Sequence, residues 1–435
     1  MNQIIQSLRE DANAAFHTAV AAVQPTDLLT KAVTVDGEQV AVLGETVPHV
    51  AGRRVVAALG KAAPGLADAW IERAPGWADE VFVLTPHGVP VTERVTAAAD
   101  VHFGAHPFPD TDGEASTRRL LQLAESLGEA DLLIVLLSGG SSALLAAPVD
   151  GLTLDEVGST TRALMEAGAT INQVNAVRRQ LLAATGGGLA RTASPAQVVT
   201  LVLSDVLGDP LPDIASGPTV ASSTTAAAAL GVLGGLGLVA DLPPAVIDVL
   251  RKRVDAPLEN AWAERCRIQI LANNRTAVEA AASMLTDRGY ATLVHPGFLE
   301  GEASTRGTLM AEFATAFWSR RPVAFLVGGE TTVTVRGNGR GGRNHELALA
   351  AAMGLDGPSN TVILSAGTDG IDGLADGAGA VVDPTTVARL RNAGIDPMEA
   401  LANNDAGTAL AAVGDTIVTG PTGTNVCDVV IILTA

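Results

Sequence analysis

The chain has 435 residues, 17% charged and 47% hydrophobic, and its 28 basic against 47 acidic residues give a formal net charge of −19. That length exceeds what one core usually fills, so two domains are expected, and the apolar fraction excludes a disordered chain. The acidic balance speaks against nucleic-acid and anionic-membrane partners, which both need basic patches.

Cys266 and Cys427 cannot form a disulfide framework or a cysteine-rich zinc site, and neither has a histidine at metal-ligand spacing. Residues 1–25 lack a basic flank followed by an apolar core, so no signal peptide is expected. The longest uncharged stretch, 214–240, is broken by Pro218 and several glycines and makes a poor membrane span. The expectation is a soluble, cytoplasmic protein. Only Lys31, Lys61 and Lys252 are lysines; the other basic residues are arginines. A retained lysine in such a chain points weakly to a chemical need.

In chain order, a helical pattern at 10–23 precedes a strand at 55–59, a helix at 64–72, a strand at 81–84 and a helix at 113–127. A strand at 132–137, helices at 160–167 and 173–184, and strands at 198–203 and 268–271 come next. Beyond them lie a helix at 275–287, a strand at 291–294, a helix at 304–319, paired strands at 323–327 and 331–335, a helix at 344–353, and strands at 361–364 and 429–433. Continuous apolar strands alternating with helices predict an α/β fold of doubly wound parallel sheets. An Ala-, Gly- and Pro-rich stretch from about 220 places a boundary near 240, giving domains 1–240 and 241–435. A crevice between them is where a two-substrate site would form.

Ligands of such folds sit beyond the carboxyl ends of the strands, so the residues there carry the chemistry. Gly60-Lys61 follows the first strand and puts a cation where phosphate is held. The run Ser138-Gly139-Gly140-Ser141-Ser142 follows the third, with the amides and hydroxyls of an anion cradle or of an ordinary capped turn. Asp205 follows the 198–203 strand, suited to a magnesium ligand, a base or an Asx turn. Arg340 and Arg343 lie in the glycine loop 337–342 and at the helix after it, where arginines suit polyphosphate. Asp369, Asp372, Asp376 and Asp383 cluster without EF-hand spacing. The segment 419–428 is another small polar loop. Residues 139–141 form no Gly-x-Ser-x-Gly elbow, and His106 reads as structural.

Together these loops resemble the glycerate 2-kinases of the MOFRL type, catalogued in older naming as hydroxypyruvate reductases. The likeness rests on Gly60-Lys61, the 106–110 run His-Pro-Phe-Pro-Asp, Ser138–Ser142, Asn175-Ala176-Val177-Arg178, and the run from Ser204 to Asp209. It continues through 216–219, 328–331, 341–344, 366–370 and 420–428. The resemblance implies two Rossmann-like α/β/α domains with an interdomain active-site cleft, a MOFRL region at about 320–430, and phosphoryl transfer from ATP, with Mg2+ or another divalent cation, to the 2-hydroxyl of D-glycerate. Its catalytic residues fall on Lys61, Asp205 and Arg343, Asp205 being also the expected metal ligand. Substrate or phosphate contacts fall on Ser138, Gly139, Gly140, Ser141, Ser142, Asn175 and Arg178. Nucleotide contacts fall on Gly328, Gly329, Glu330, Gly341, Gly342, Asn344, Asp369, Thr424 and Asn425. A monomer or homodimer without nucleic-acid or membrane partners is expected. Leu182 and Thr185 stand where relatives usually show a serine and a lysine, which leaves a kinase for a related hydroxy acid as an alternative. The competing class is an NAD(P)H-dependent hydroxypyruvate reductase, supported by the dinucleotide-type spacing of Gly337, Gly339 and Gly342.

Overall fold

The run Leu132–Leu137 is buried at every residue, as a strand covered on both faces must be. In the computed structural model, which describes residues 3–36, 39–47, 51–254, 260–315, 322–355 and 360–435, it lies inside a six-stranded sheet. The spatial order is Asp100–Gly104, Glu80–Pro86, Arg54–Leu59, Leu132–Leu137, Gln197–Leu203, Cys266–Ala272. The first five are mutually parallel. Numbered along the chain the order is 3-2-1-4-5-6, the doubly wound arrangement, with its switch point between Arg54–Leu59 and Leu132–Leu137. One apolar face, built on Val55, Ala57, Leu59, Leu133, Val135 and Leu137, packs with Leu120, Leu144 and Leu189. Four helices between Leu154 and Lys252 form a satellite core around Leu164, Val177, Leu181 and Val246.

The second sheet runs Ala291–Val294, Val323–Thr332, Asp428–Thr434, Thr361–Gly367, Gly379–Val382, Thr416–Ile417, with Leu299–Glu302 beside the end of Val323–Thr332. It is mixed. Asp428–Thr434 runs antiparallel to both neighbours, which are therefore parallel to each other. The register sets Asp428 between Gly329 and Gly367, so two strand ends and one strand start meet at one edge. The helices Ala303–Thr315 and Arg343–Gly354 cover the face of Phe325, Ile363, Val430 and Ile432. Gln3–Ala22 packs on Asn274–Asp287 and on the strands Thr361–Gly367 and Asp428–Thr434.

The expected α/β architecture in two domains is present, and the differences are local. Contacts divide the chain into Leu28–Leu271 and a unit of Met1–Asp27 with Ala272–Ala435. The division thus falls at 271/272 rather than 240/241, because the strand starting at Cys266 joins the first sheet and the first helix joins the second unit. The paired strands at 323–327 and 331–335 are one strand, Val323–Thr332, and the Thr-Val alternation beyond it is extended chain without a ladder. Residues 316–319 of the helix expected at 304–319 lie outside the described residues. A three-stranded antiparallel sheet within residues 33–46 adds to the expected elements.

Candidate functional site

Within the 28–271 unit, the switch point brings the Lys61 and Ser138–Ser142 turns into direct contact. Lys61 N–H donates to Gly139 O at 2.8 Å, and the Ser138 hydroxyl accepts from Ala62 N–H at 3.1 Å while donating to Leu59 O. Gly60 carries φ +110°, and a Cβ there would lie 2.5 Å from Ser138 O, so no other residue fits. The amides of Gly139, Gly140, Ser141 and Ser142 donate to no partner among the described residues. The Lys61 ammonium likewise makes no ion pair among them. Ser138 and Ser141 are buried in the turn, Ser141 donating to Ser138 O at 2.7 Å.

Asp205 stands two residues beyond Gln197–Leu203, with its carboxylate against Gly139: a Cβ on that glycine would sit 1.7 Å from Oδ2. A Cβ on Gly140 would meet Lys61 Cγ at 3.0 Å and His106 Cδ2 at 3.3 Å. Three sequence-distant segments therefore converge on two glycines. Arg178, on Ile171–Leu181, donates from Nη2 to Ser142 O at 2.8 Å, and burial lowers its pKa. It props the turn from below. Asn175 is half-buried three residues earlier on that helix.

Ser216, from the 216–219 run that the sequence marks as part of the family likeness but not as a site residue, is a further member of this locus. Its hydroxyl lies 3.0 Å from that of Ser142, and it belongs to the left-handed run Ala215 (φ 52°), Ser216 (φ 60°), Gly217 (φ 62°). Two successive non-glycine residues in that region carry backbone strain that the surroundings must hold in place. The departures at 182 and 185 are both buried: Leu182 joins the satellite core, and Thr185 Oγ1 donates to Leu182 O.

Within the other unit, Arg343 opens the helix Arg343–Gly354. Its Nε and Nη2 grip Asp428 bidentately at 2.6 and 2.8 Å, and Nη1 lies 3.2 Å from Glu330. Burial opposes the guanidinium charge, but the Asp428 hydrogen bonds outweigh it and its pKa is raised. Burial pushes Asp428 up to about 6 against the pull of Arg343. Glu330 also accepts from the Cys427 thiol at 3.7 Å. Gly328 and Gly329 are sites of close approach, to Asn274 and to the Leu299 backbone. The Asn274 amide holds the 419–428 loop through Val426 O and Asp428 O.

Several expected nucleotide contacts have other partners here. Asn344 is buried and accepts from Ser365 Oγ at 2.7 Å. Thr424 donates to Val23 O at 2.7 Å, tying the loop to the first helix. Asn425 Oδ1 accepts Cys427 N–H, and Asp369 Oδ1 accepts Ile371 N–H, both as turn caps. Gly341 O accepts Leu374 N–H, and Gly342 lies against Asp372. The 337–342 spacing is not a dinucleotide fingerprint. No strand runs directly into it, and Gly337 and Gly339 make room for Asn403 and Asp405. Among the described residues, the one group of three metal-type ligands within reach of a common ion is His87, Asp110 and Asp112, at the surface. No helix among them is long and apolar enough to cross a membrane.

Two family models match: a domain of unknown function, DUF4147, over residues 11–251 and the MOFRL family over 323–428. A D-glycerate 2-kinase from Thermotoga maritima is 39% identical over 89% of this chain and 92% of its own length. A chain from Agrobacterium vitis, provisionally named a hydroxypyruvate reductase, is 40% identical over 88% of this chain and 99% of its own. The crystal structure of a glycerate kinase from Thermotoga maritima superposes with a TM-score of 0.87 at 35% identity, covering 99% of this chain and 100% of that one. The chain belongs to the glycerate kinase family that joins a DUF4147 domain to a MOFRL domain.

Proposed function

We propose that this protein transfers the γ-phosphoryl group of ATP to the 2-hydroxyl of D-glycerate, giving 2-phosphoglycerate. The observation that carries this reading is a Lys61 ammonium and four amides, 139–142, that have no partner among the described residues, at the switch point of a doubly wound sheet. Such a site selects a small anion. Phosphoryl transfer needs positioning and charge neutralisation more than covalent help from the protein, and these groups supply both. In this reading the amides and Lys61 hold oxygens of the acid and of the moving phosphoryl group. Asp205 orients the hydroxyl end or holds a divalent cation. A single carboxylate fits magnesium, which takes one or two protein carboxylates and completes its shell with water and phosphate. When bound, such a cation neutralises phosphate charge.

Arg343 serves the phosphates by exchanging its Nη1 contact with Glu330, whose side chain is 46% exposed, while Asp428 keeps the other edge fixed. The nucleotide contacts are assigned to the Glu330, Asp369 and 419–428 segments. Coupled ADP release with Mg-ATP and D-glycerate, with the product's phosphate position read by 31P NMR, tests the reading. A 2-phosphate supports it. ADP release with phosphate on the 3-hydroxyl removes the regiochemistry, and no release with any hydroxy acid removes the kinase.

A further inference from the structure

We propose that His106 is a catalytic residue, the proton acceptor for the hydroxyl group of the acid; this rests on the kinase reading above.

The loop carrying His106 is pinned at its far end. Asp110 Oδ1 accepts from Ala105 N–H at 2.9 Å and Gly113 N–H at 2.8 Å, and Oδ2 lies 3.0 Å from His87 Nε2. Asp110 is thereby committed elsewhere and does not serve the neighbouring imidazole. His106 lies over Gly140, where a Cβ would stand 3.3 Å from Cδ2 and 3.5 Å from Nε2, beside Lys61 Cγ at 3.0 Å. Neither imidazole nitrogen has a hydrogen-bond partner among the described residues. Among the described residues this histidine bonds to nothing, yet it stands on the turn whose amides, also without partners among them, mark the anion site. The sequence alone favours a structural histidine; the missing partners argue for a chemical one.

The charged groups around it are Lys61 on the turn after Arg54–Leu59, Asp205 against Gly139, and Asp110 with His87 beyond its own loop. Partial burial of the ring lowers its pKa and Lys61 lowers it further, which favours the neutral ring that can accept a proton. Asp205 is less suited to that task. A carboxylate beside an anionic acid and an anionic phosphoryl group is better used to hold a cation.

In the transfer step, the hydroxyl oxygen of the acid forms a bond to the γ-phosphorus, and the bond from that phosphorus to the β,γ-bridging oxygen breaks, leaving ADP. The hydroxyl proton passes to a nitrogen of His106. The imidazolium, disfavoured beside the Lys61 ammonium, then gives it to solvent at the exposed face of the ring.

The test uses the full chain with Mg-ATP and D-glycerate, measuring kcat and KM from pH 5 to 9 for the wild type, His106→Gln and His106→Ala, the last with and without imidazole. The expected result is wild-type turnover with an acidic limb, a kcat about 100-fold lower in His106→Gln with KM for ATP within threefold, loss of that limb, and rescue of His106→Ala by imidazole. His106→Gln within threefold of wild-type kcat, or a loss confined to KM, overturns the proposal. An inactive wild type overturns the kinase reading and this inference with it. Thermal melting of the two variants close to that of the wild type, expected for an exposed ring, excludes misfolding as the cause of a loss.

Discussion

Gly139 marks the tightest fit in the Lys61 locus. Gly139→Ala puts a methyl group where the Asp205 carboxylate lies, and neither the buried strand below nor the turn above can yield cheaply. The expected outcome is turnover about 100-fold lower, as for displacement of a positioned group, measured by ADP release. Ser142→Ala removes a single exchangeable hydroxyl partner, that of Ser216, and should cost far less. At the Arg343 locus the testable quantity is pH-dependent stability. Folded Asp428 keeps its proton up to about pH 6, whereas the unfolded chain releases it near the ordinary aspartate value of about 4. Between those values the unfolded state binds fewer protons, so stability falls as pH rises through the window and levels off above it. Urea unfolding across that range should show the advantage of the wild type over Asp428→Asn shrinking from about pH 4 to about pH 6. A flat difference would place the Asp428 pKa at its ordinary value.

Elements whose burial is uniform were legible in the sequence. The strands at 55–59 and 132–137 are apolar throughout, and 198–203 is apolar but for the buried Thr200, because both faces of the first sheet are covered. The residues that end them follow from the same geometry, which is why Lys61, the 138–142 turn and Asp205 stand out in the sequence. The mixed direction of the second sheet was not legible, since antiparallel strands buried on both faces carry the same apolar signature as parallel ones. Nor were partners distant in sequence, such as Asp428 for Arg343 or Asp372 for the helix Arg343–Gly354. That helix begins at Gly342, which has no capping side chain, and Asp372 supplies the cap from another loop. Its carboxylate accepts the Asn344 N–H at 3.1 Å, the His345 N–H at 2.8 Å and the buried His345 ring at Nδ1, 2.6 Å away. Asp372→Ala strands two helix amides and a buried imidazole. It should destabilise the 272–435 unit by about 2–4 kcal/mol in denaturant unfolding, more than an exposed cap of about 1 kcal/mol.

At the scale of the whole molecule, the chain's first helix belongs with residues 272–435 and not with the segment directly after it. Leu8, Ala12, Ala15, Phe16 and Ala19 are buried on one side of Gln3–Ala22, at the spacing of a helix face. Arg9 lies among them, with a side chain only 10% exposed, and its two terminal nitrogens reach Asp383 and Asp415, each at 2.5 Å and each carboxylate fully buried. Arg389 and the Thr386 hydroxyl complete the shell around Asp415. Such a pair is costly to bury, so its presence is weak evidence for stability but strong evidence for register: only one placement of the helix satisfies both carboxylates. Arg9→Ala leaves two buried aspartates with Arg389 as their remaining cation. The expected loss is about 3–5 kcal/mol, against less than about 0.5 kcal/mol for Arg119→Ala at the exposed Asp100 pair. Because contacts divide the chain into two units, the loss should appear in the unfolding transition of the 272–435 unit and leave the transition of the 28–271 unit in place, as read by hydrogen exchange of the two sheets. Equal loosening of both sheets would mean that the first helix supports the molecule as a whole and that the two units do not unfold separately.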